Sequence, residues 1–468
     1  MDSRAVWVAI IAVIVIVIAG IAGFLATRPP AAPTTVTVTV TETKTETKTI
    51  TVTAPTTTTT TTTTTPAKPV VKEIKIGYIE PLSGPLAQTG AMCKAGAEFA
   101  VDWINSLGGV KNCGGAKLVI VWGDSAGDPS RGAAEAERLI TQEKVVALLG
   151  CYQSSVTKTA SEVAERYHVP FLNGDSESAA LTQRGYKWFF RTKPHMGMHS
   201  IYHFEFLKWL NETYGGLKTV AIIHEDTEWG SDAAKYWLMR AKEYGFKVVA
   251  VVSYHAATVT SLDSEVEKLK AANPDVLLVA PYTQDAILLV KTMKAHNWMP
   301  KVVLAQDSGF IDPYYVKQIG KDGYYIFSRE TFNWDLFEKI PQLKKVNERF
   351  RAKYGVDLNG DAAEDYIGVW TIYLAIEEAC KVADPSNLEE FRKAIRDALA
   401  NLKVSPEEPW FIVPWKGIEF GPDGQNKLAG GLIVQMSPED GKYHTVYPPE
   451  YATMKPIYPI PPWDQRKD

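Results

Sequence analysis

Residues 74–107 read IKIGYIEPLSGPLAQTGAMCKAGAEFAVDWINSL. Residues 74–79 are largely apolar, with three isoleucines, and read as a strand; Glu80-Pro81 ends the run. Pro and Gly punctuate the stretch that follows. From Gly90 the pattern becomes helical, with Ala97, Val101 and Ile104 on one face. A strand that passes through a loop into an amphipathic helix is the first half of a βαβ unit. The same pattern then recurs. Strands are predicted over 117–122, 145–149 and 169–173, with helices over 130–142 and 155–167. After residue 194 it restarts, with strands over 219–224, 247–253, 276–280 and 301–305 and helices over 231–244, 261–272 and 284–296. The predicted fold is therefore α/β, with two doubly wound parallel-sheet lobes. A cleft between their strand C-termini is where such sheets bind ligands.

The 468 residues carry 50 basic and 54 acidic side chains, a net charge of −4. That balance argues against nucleic-acid binding, which needs a basic surface to neutralise phosphates. A mean hydropathy of −0.12 excludes a polytopic membrane protein. The N-terminal residues differ from the rest. Residues 5–27 carry no charge and are nearly all Val, Ile, Ala and Gly, long enough to span a bilayer. They lack a small-residue cleavage site, so residues 1–28 are expected to be an uncleaved membrane anchor rather than a signal peptide. Residues 29–72 are Thr- and Pro-rich, with 21 threonines between 34 and 65 and ten in a row from Thr56 to Thr65. Such a segment cannot bury enough apolar surface to fold, and it reads as an extracellular stalk. The expected location is the cell membrane, with a single-pass anchor and an extracellular body.

Ordered motifs in that body resemble the branched-chain amino-acid (Leu/Ile/Val) type of substrate-binding protein of ABC transporters, with the periplasmic-binding-protein-like type I fold. The 80–90 loop EPLSGPLAQTG, the helix end INSLGGV (104–110), Asp124 with Asp128-Pro129, and the loop GCYQSS (150–155) match in order. Trp229-Gly230 and the late turn FGPDG (420–424) continue the match. The resemblance implies three hinge crossings, near 191–194, 326–330 and 416–426. It divides the body into a first lobe of 73–193 plus 327–420, a second lobe of 194–326 plus 421–450, and a Pro-rich tail of 451–468.

The resemblance also implies a ligand site. Ser154 and Ser155, between a strand and a helix, would meet an anionic group. Asp307 matches the acidic partner of a ligand ammonium. Trp229, Tyr282 and Tyr152 would form aromatic walls, and Thr89 matches a first-lobe contact. One stretch departs from the pattern. Asp175 and Glu177 occupy a loop that is small and uncharged in the family, and buried negative charge beside a ligand carboxylate is costly. Basic amino acids, amides, polyamines and sugars therefore stay open as ligands. The expected partners are a small-molecule ligand, most simply an amino acid or related compound, and membrane-embedded ABC permease subunits. A sensory ectodomain and a surface-layer or adhesion protein are the alternatives.

No cofactor or catalysis is expected, because the chain has no Gly-x-Ser-x-Gly elbow, phosphate loop or H-E-x-x-H motif. His195, His199 and His203 recur every four residues; the first and third lie ~12 Å apart along a helix and cannot share one ion. His224-Glu225-Asp226 is read as loop polarity at a strand end. For the four cysteines, the expected pairs are Cys93–Cys151 and Cys113–Cys380.

Overall fold

The computed structural model describes residues 71–466. The expected membrane anchor over 1–28 and nearly all of the stalk lie outside the described residues, among which no helix is long and apolar enough to cross a membrane.

Two sheets organise the body. The first holds β1 (Glu73–Glu80), β2 (Lys117–Asp124), β3 (Leu148–Gly150), β4 (Phe171–Asn173) and β5 (Phe189–Arg191) in the order β2-β1-β3-β4-β5. Every pair is parallel. The second sheet contains β6 (Thr219–Glu225), β7 (Lys247–Tyr254), β8 (Val276–Ala280), β9 (Val302–Gln306) and β10 (Phe327–Glu330). It runs β14-β13-β10-β9-β8-β6-β7, where β13 (Leu432–Met436) and β14 (Tyr443–Tyr447) add antiparallel to β10. The parallel part of each sheet thus has the same 2-1-3-4-5 order, and each reverses direction beside its first strand, which opens a crevice at the strand C-termini.

The strands at the centre are almost wholly apolar, as expected where helices cover both faces. In the first sheet the helices Ala87–Ser106 and Gly360–Val382 pack together on one face, while Pro129–Thr141 and Ser154–Arg166 cover the other. Trp410, in the loop between Pro406 and Pro414, stacks on Trp370 of that long helix, 5.4 Å between ring centroids, and is buried in the first-lobe core.

Three expectations need correction. The sequence predicts that the first lobe resumes at 327, but β10 is bonded between β9 and β13 in the second sheet. Its short run Phe327-Ser328-Arg329-Glu330 mixes one apolar residue with two charged ones, so it carries little strand signal. The second sheet is mixed rather than purely parallel, because β13 and β14 return to it after the last crossing. Cys93 and Cys151 do not pair: both are free and buried. Cys151 packs in the cluster on one sheet face, whereas Cys93 sits on the helix covering the other. Cys113 and Cys380 do form a disulfide, with a Cα–Cα distance of 5.3 Å.

The tail lies extended along the second sheet's lobe. Ile457 N–H donates to Gln435 Oε1 at 2.8 Å, Ile460 N–H to Lys301 O at 2.9 Å, and the Tyr458 hydroxyl to Gly215 O at 2.6 Å.

Candidate functional site: a closed, acidic interlobe cavity

The strand ends position the site. Directly after β3, β4 and β5 come Tyr152 and Ser154, Asp175 and Glu177, and Lys193. After β6, β8 and β9 come Trp229, Tyr282, and Asp307 with Ser308. These residues and Asp361 line one small, tightly closed cavity between the two lobes. The turn out of β3 needs Gly150 at φ +92°, where a Cβ would stand 2.2 Å from Ile79 O. Asp307 and Ser308 hold φ values of 22° and 44°, sparsely populated backbone that turns both side chains into the cavity.

The lobes are closed on each other. The Tyr152 hydroxyl meets Ser308 Oγ at 2.7 Å, and Thr89 Oγ1 donates to Asp312 Oδ2 at 2.9 Å. Ala179 N–H donates to Asp232 Oδ2 at 2.7 Å. Deeper in, Glu177 from the first lobe is the centre of the contact. Its carboxylate accepts from Trp229 Nε1 at 3.0 Å, from Gln306 Nε2 at 2.6 Å and from Arg329 Nη2. Lys193 Nζ lies 3.0 Å and His199 Nε2 3.1 Å from it. Arg329 also donates to Asp307, and Lys193 reaches Glu364 at 2.8 Å and Asp307 at 3.6 Å.

Electrostatics follow from this geometry. Burial pushes the Glu177 carboxyl upward, but Arg329, Lys193 and His199 outweigh it and hold the group well below the usual carboxylate range. Burial also dominates Asp307; Arg329 offsets only part of it, and the carboxyl rises to about 7. Asp175 is driven well up by burial and by the nearby carboxyls of Asp365 and Glu364. Asp361 is raised by burial, Glu364 and Asp312. Burial opposes the charge on Lys193, yet Glu177, Glu364 and Asp307 keep it well above the ordinary lysine value. Burial beside Arg329 leaves His199 neutral.

Most residues singled out from the sequence meet in this cavity: Ser154, Asp307, Trp229, Tyr282, Tyr152, Asp175 and Glu177. Two do not. Thr89 is spent on the interlobe bond to Asp312. Ser155 faces a larger, separate groove, with Lys158, Glu228 and Gln284. Ser154 is buried, but its Oγ accepts from Glu177 N–H at 3.3 Å and Ser178 N–H at 3.1 Å. Sequence reasoning missed Lys193, Gln306, Arg329, Asp361 and Glu364. Lys193 and Arg329 fall inside two expected hinge segments, and Asp361, Glu364 and Asp365 form an acidic i, i+3, i+4 face on an otherwise apolar helix. Both patterns were signals that buried charge sits there.

The other constellations have structural roles. His195 Nδ1 caps its helix by accepting from Gly197 N–H at 3.0 Å, and His203 bonds to the His199 carbonyl at 3.0 Å. Glu225 accepts from Thr227 N–H and Gly230 N–H, both at 2.6 Å, at the start of helix Glu228–Glu243. Behind the cavity, Glu80, Cys93 and Asp175 each bring one ligand-type atom to within 4.8 Å of the others.

Two α/β lobes that close over a polar cavity at their strand ends define a bilobal solute-binding protein. The chain belongs to the periplasmic binding protein family, which its residues 73–425 match. The Leu/Ile/Val-binding protein homolog 7 of Brucella suis is 30% identical over 393 residues, covering 82% of this chain and 93% of that protein. The Leu/Ile/Val-binding protein homolog 8 of Brucella melitensis is 28% identical over 397 residues, covering 82% and 92%. The fold is shared with the branched-chain amino acid transporter substrate binding protein LivJ of Streptococcus pneumoniae, solved with isoleucine (TM-score 0.66, 22% identity, 80% of this chain and 98% of that one). It is shared as well with the leucine binding protein LivK of Thermotoga maritima (TM-score 0.67, 18% identity, 80% and 97%). The family is one of substrate-binding proteins, not enzymes.

Proposed function

We propose that this protein captures a small solute, an amino acid or a related nitrogen compound, between its lobes and delivers it to an ABC importer. In this reading residues 1–28 tether it to the membrane and residues 29–72 hold the body clear of the surface. The observation that carries the reading is the cavity walled from both lobes at the strand C-termini. Ser154, Tyr152, Asp175 and Glu177 would meet the solute from the first lobe, and Trp229, Tyr282 and Asp307 from the second. The relatives support it by their names, which describe Leu/Ile/Val binding.

Closure is the working step. A solute that touches both lobes stabilises the closed form by its differential affinity for it, and the permease reads that shape. The chain bends where it passes between lobes: after β5, after β10 and before β13. An adhesion protein has no use for such a cavity. The test is a thermal-shift screen against amino acids, amides, amines, sugars and short peptides. A solute at a hundred times its Kd should add about 2.7 kcal/mol of stability. Absence of any hit across the screen would sink the solute-capture reading.

A further inference from the structure

Most of the charged and amide donors that a ligand carboxylate would meet are already engaged. Glu177 collects Trp229 Nε1, Gln306 Nε2, Arg329 Nη2, Lys193 and the neighbouring His199. Ser154 Oγ occupies the backbone N–H groups of Glu177 and Ser178. The chain therefore carries its own carboxylate where an amino acid would bring one. Arg329 has two nitrogens without partners, but it stands behind Glu177 and Asp307 and does not line the cavity.

What stays open in the cavity has the opposite character. Asp175 is 5% exposed and lines the cavity; no N–H or hydroxyl donates to its oxygens, and the group beside it is the carboxyl of Asp365. The wall holds four carboxyl groups, Asp175, Glu177, Asp307 and Asp361, against the single cation Lys193. In the same cavity wall the rings of Trp229 and Tyr282 lie 5.2 Å apart, and those of Tyr152 and Tyr282 6.4 Å apart. A buried carboxyl that no donor reaches and clustered aromatic rings together suit a positively charged nitrogen.

Resting on the solute-capture reading, we infer that the ligand of this cavity is a small organic amine without a carboxylate group, its ammonium held by Asp175 beside the Tyr152, Trp229 and Tyr282 rings. Glu177 is the internal anion that replaces the ligand's own. A divalent metal drawn to Glu80, Cys93 and Asp175 is the competing occupant.

The test compares leucine with 3-methylbutylamine, which is leucine without its carboxylate, by calorimetric titration of the full-length protein. Butylamine, 1,4-diaminobutane, a sugar and amide panel, and Zn²⁺ or Mn²⁺ alone complete the set. At least one amine should bind, at least tenfold tighter than leucine, and Asp175→Asn should weaken that amine at least tenfold. Asp175→Asn keeps the side-chain shape, and the wild-type comparison stands even if the variant misfolds. Leucine binding as tightly as the amines overturns the inference and keeps the solute-capture reading. So does a sugar or amide that binds where no amine does. A metal that binds alone and is lost in Asp175→Asn, with no amine bound, overturns it in favour of a metal site. Silence from every probe overturns both readings.

Discussion

Glu177 shows how one side chain can set the character of a site. Replaced by Ala, it leaves Arg329 and Lys193 with fewer counter-charges in a buried place, and Trp229 Nε1 and Gln306 Nε2 lose their acceptor. Removing one partner of a buried ion pair typically costs about 3–5 kcal/mol. Glu177→Ala should therefore shift the urea midpoint by that order, whereas Ser155→Ala, in the separate groove, should stay within about 0.5 kcal/mol. Equal loss in both would refute the placement of Glu177. Asp307 is the second informative residue. It faces Arg329, Glu177, Lys193, Glu364, Glu330, Asp361 and Tyr152. Its carboxyl, raised to about 7, is largely protonated at pH 5.5 and ionised at pH 8. A cationic solute favours the ionised form, so its affinity should rise between those values, read as Kd against pH; a flat profile in wild type would count against a role for Asp307 in binding charge.

At the level of elements, the hinges are built from hydrogen-bonded chain segments rather than loose loops. Arg191, fully buried, donates through Nε to Gln425 Oε1 at 2.8 Å, and Gln425 Nε2 donates to Lys193 O at 2.7 Å. Asn426 Nδ2 donates to Thr192 O at 2.9 Å. Gly424 sits at φ +78°, and a Cβ there would stand 2.1 Å from Phe189 O, so this crossing tolerates no side chain. Gln425→Ala leaves a buried guanidinium N–H and a carbonyl unpaired, each worth about 1–3 kcal/mol. The expected outcome is a lower melting temperature with the lobes less well aligned; an unchanged temperature would show that water replaces the amide at no cost. The strands β3, β4 and β5 have three residues each, yet they carry Tyr152, Asp175 and Lys193 at their ends. Short strands place side chains accurately here because the surrounding apolar core fixes their register.

For the molecule as a whole, two global properties follow. The Cys113–Cys380 disulfide closes a separation of 267 residues between the first helix's following turn and the long helix Gly360–Val382. Loss of such a bridge, by Cys113→Ser with Cys380→Ser, should cost about 2–4 kcal/mol by chemical unfolding. The second property is pH dependence. Asp175, Asp361, Glu330 and Asp307 all have carboxyls raised in the folded state. Their contribution is complete below the ordinary carboxylate value of ~4 and is lost as pH rises through their folded values. Glu177 is depressed and acts oppositely: its contribution is present above ~4.3 and lost in acid. In the ligand-free protein these raised carboxyls favour pH 5.5 over pH 8, whereas the buried His195, His199, His203 and His224, all lowered, favour pH 8, so the two sets oppose each other across that interval. The carboxyl part is read by difference: Asp307→Asn should gain more melting temperature over wild type at pH 8 than at pH 5.5, and a difference that does not change with pH would contradict the raised Asp307 carboxyl.

The sequence alone determined the alternation of strand and helix, the two lobes, and the strand-end loops that carry Ser154, Asp175, Glu177, Trp229, Tyr282 and Asp307. Those features are local: apolar periodicity, turn residues and motif order are written along the chain. The Cys113–Cys380 pair was also within reach, because both cysteines end helical segments. Only the tertiary structure decided what the site's charges do. Lys193 is near Glu177 in sequence, but Gln306 and Arg329 reach it only because the closed lobes bring residues more than a hundred positions apart into one desolvated space. The same holds for Cys93 and Cys151, kept apart by the sheet between them, and for β10, whose few polar residues become a strand because β9 and β13 offer it partners on both edges. Burial and pairing are properties of the packed whole, and no periodicity along the chain encodes which buried charge will meet which.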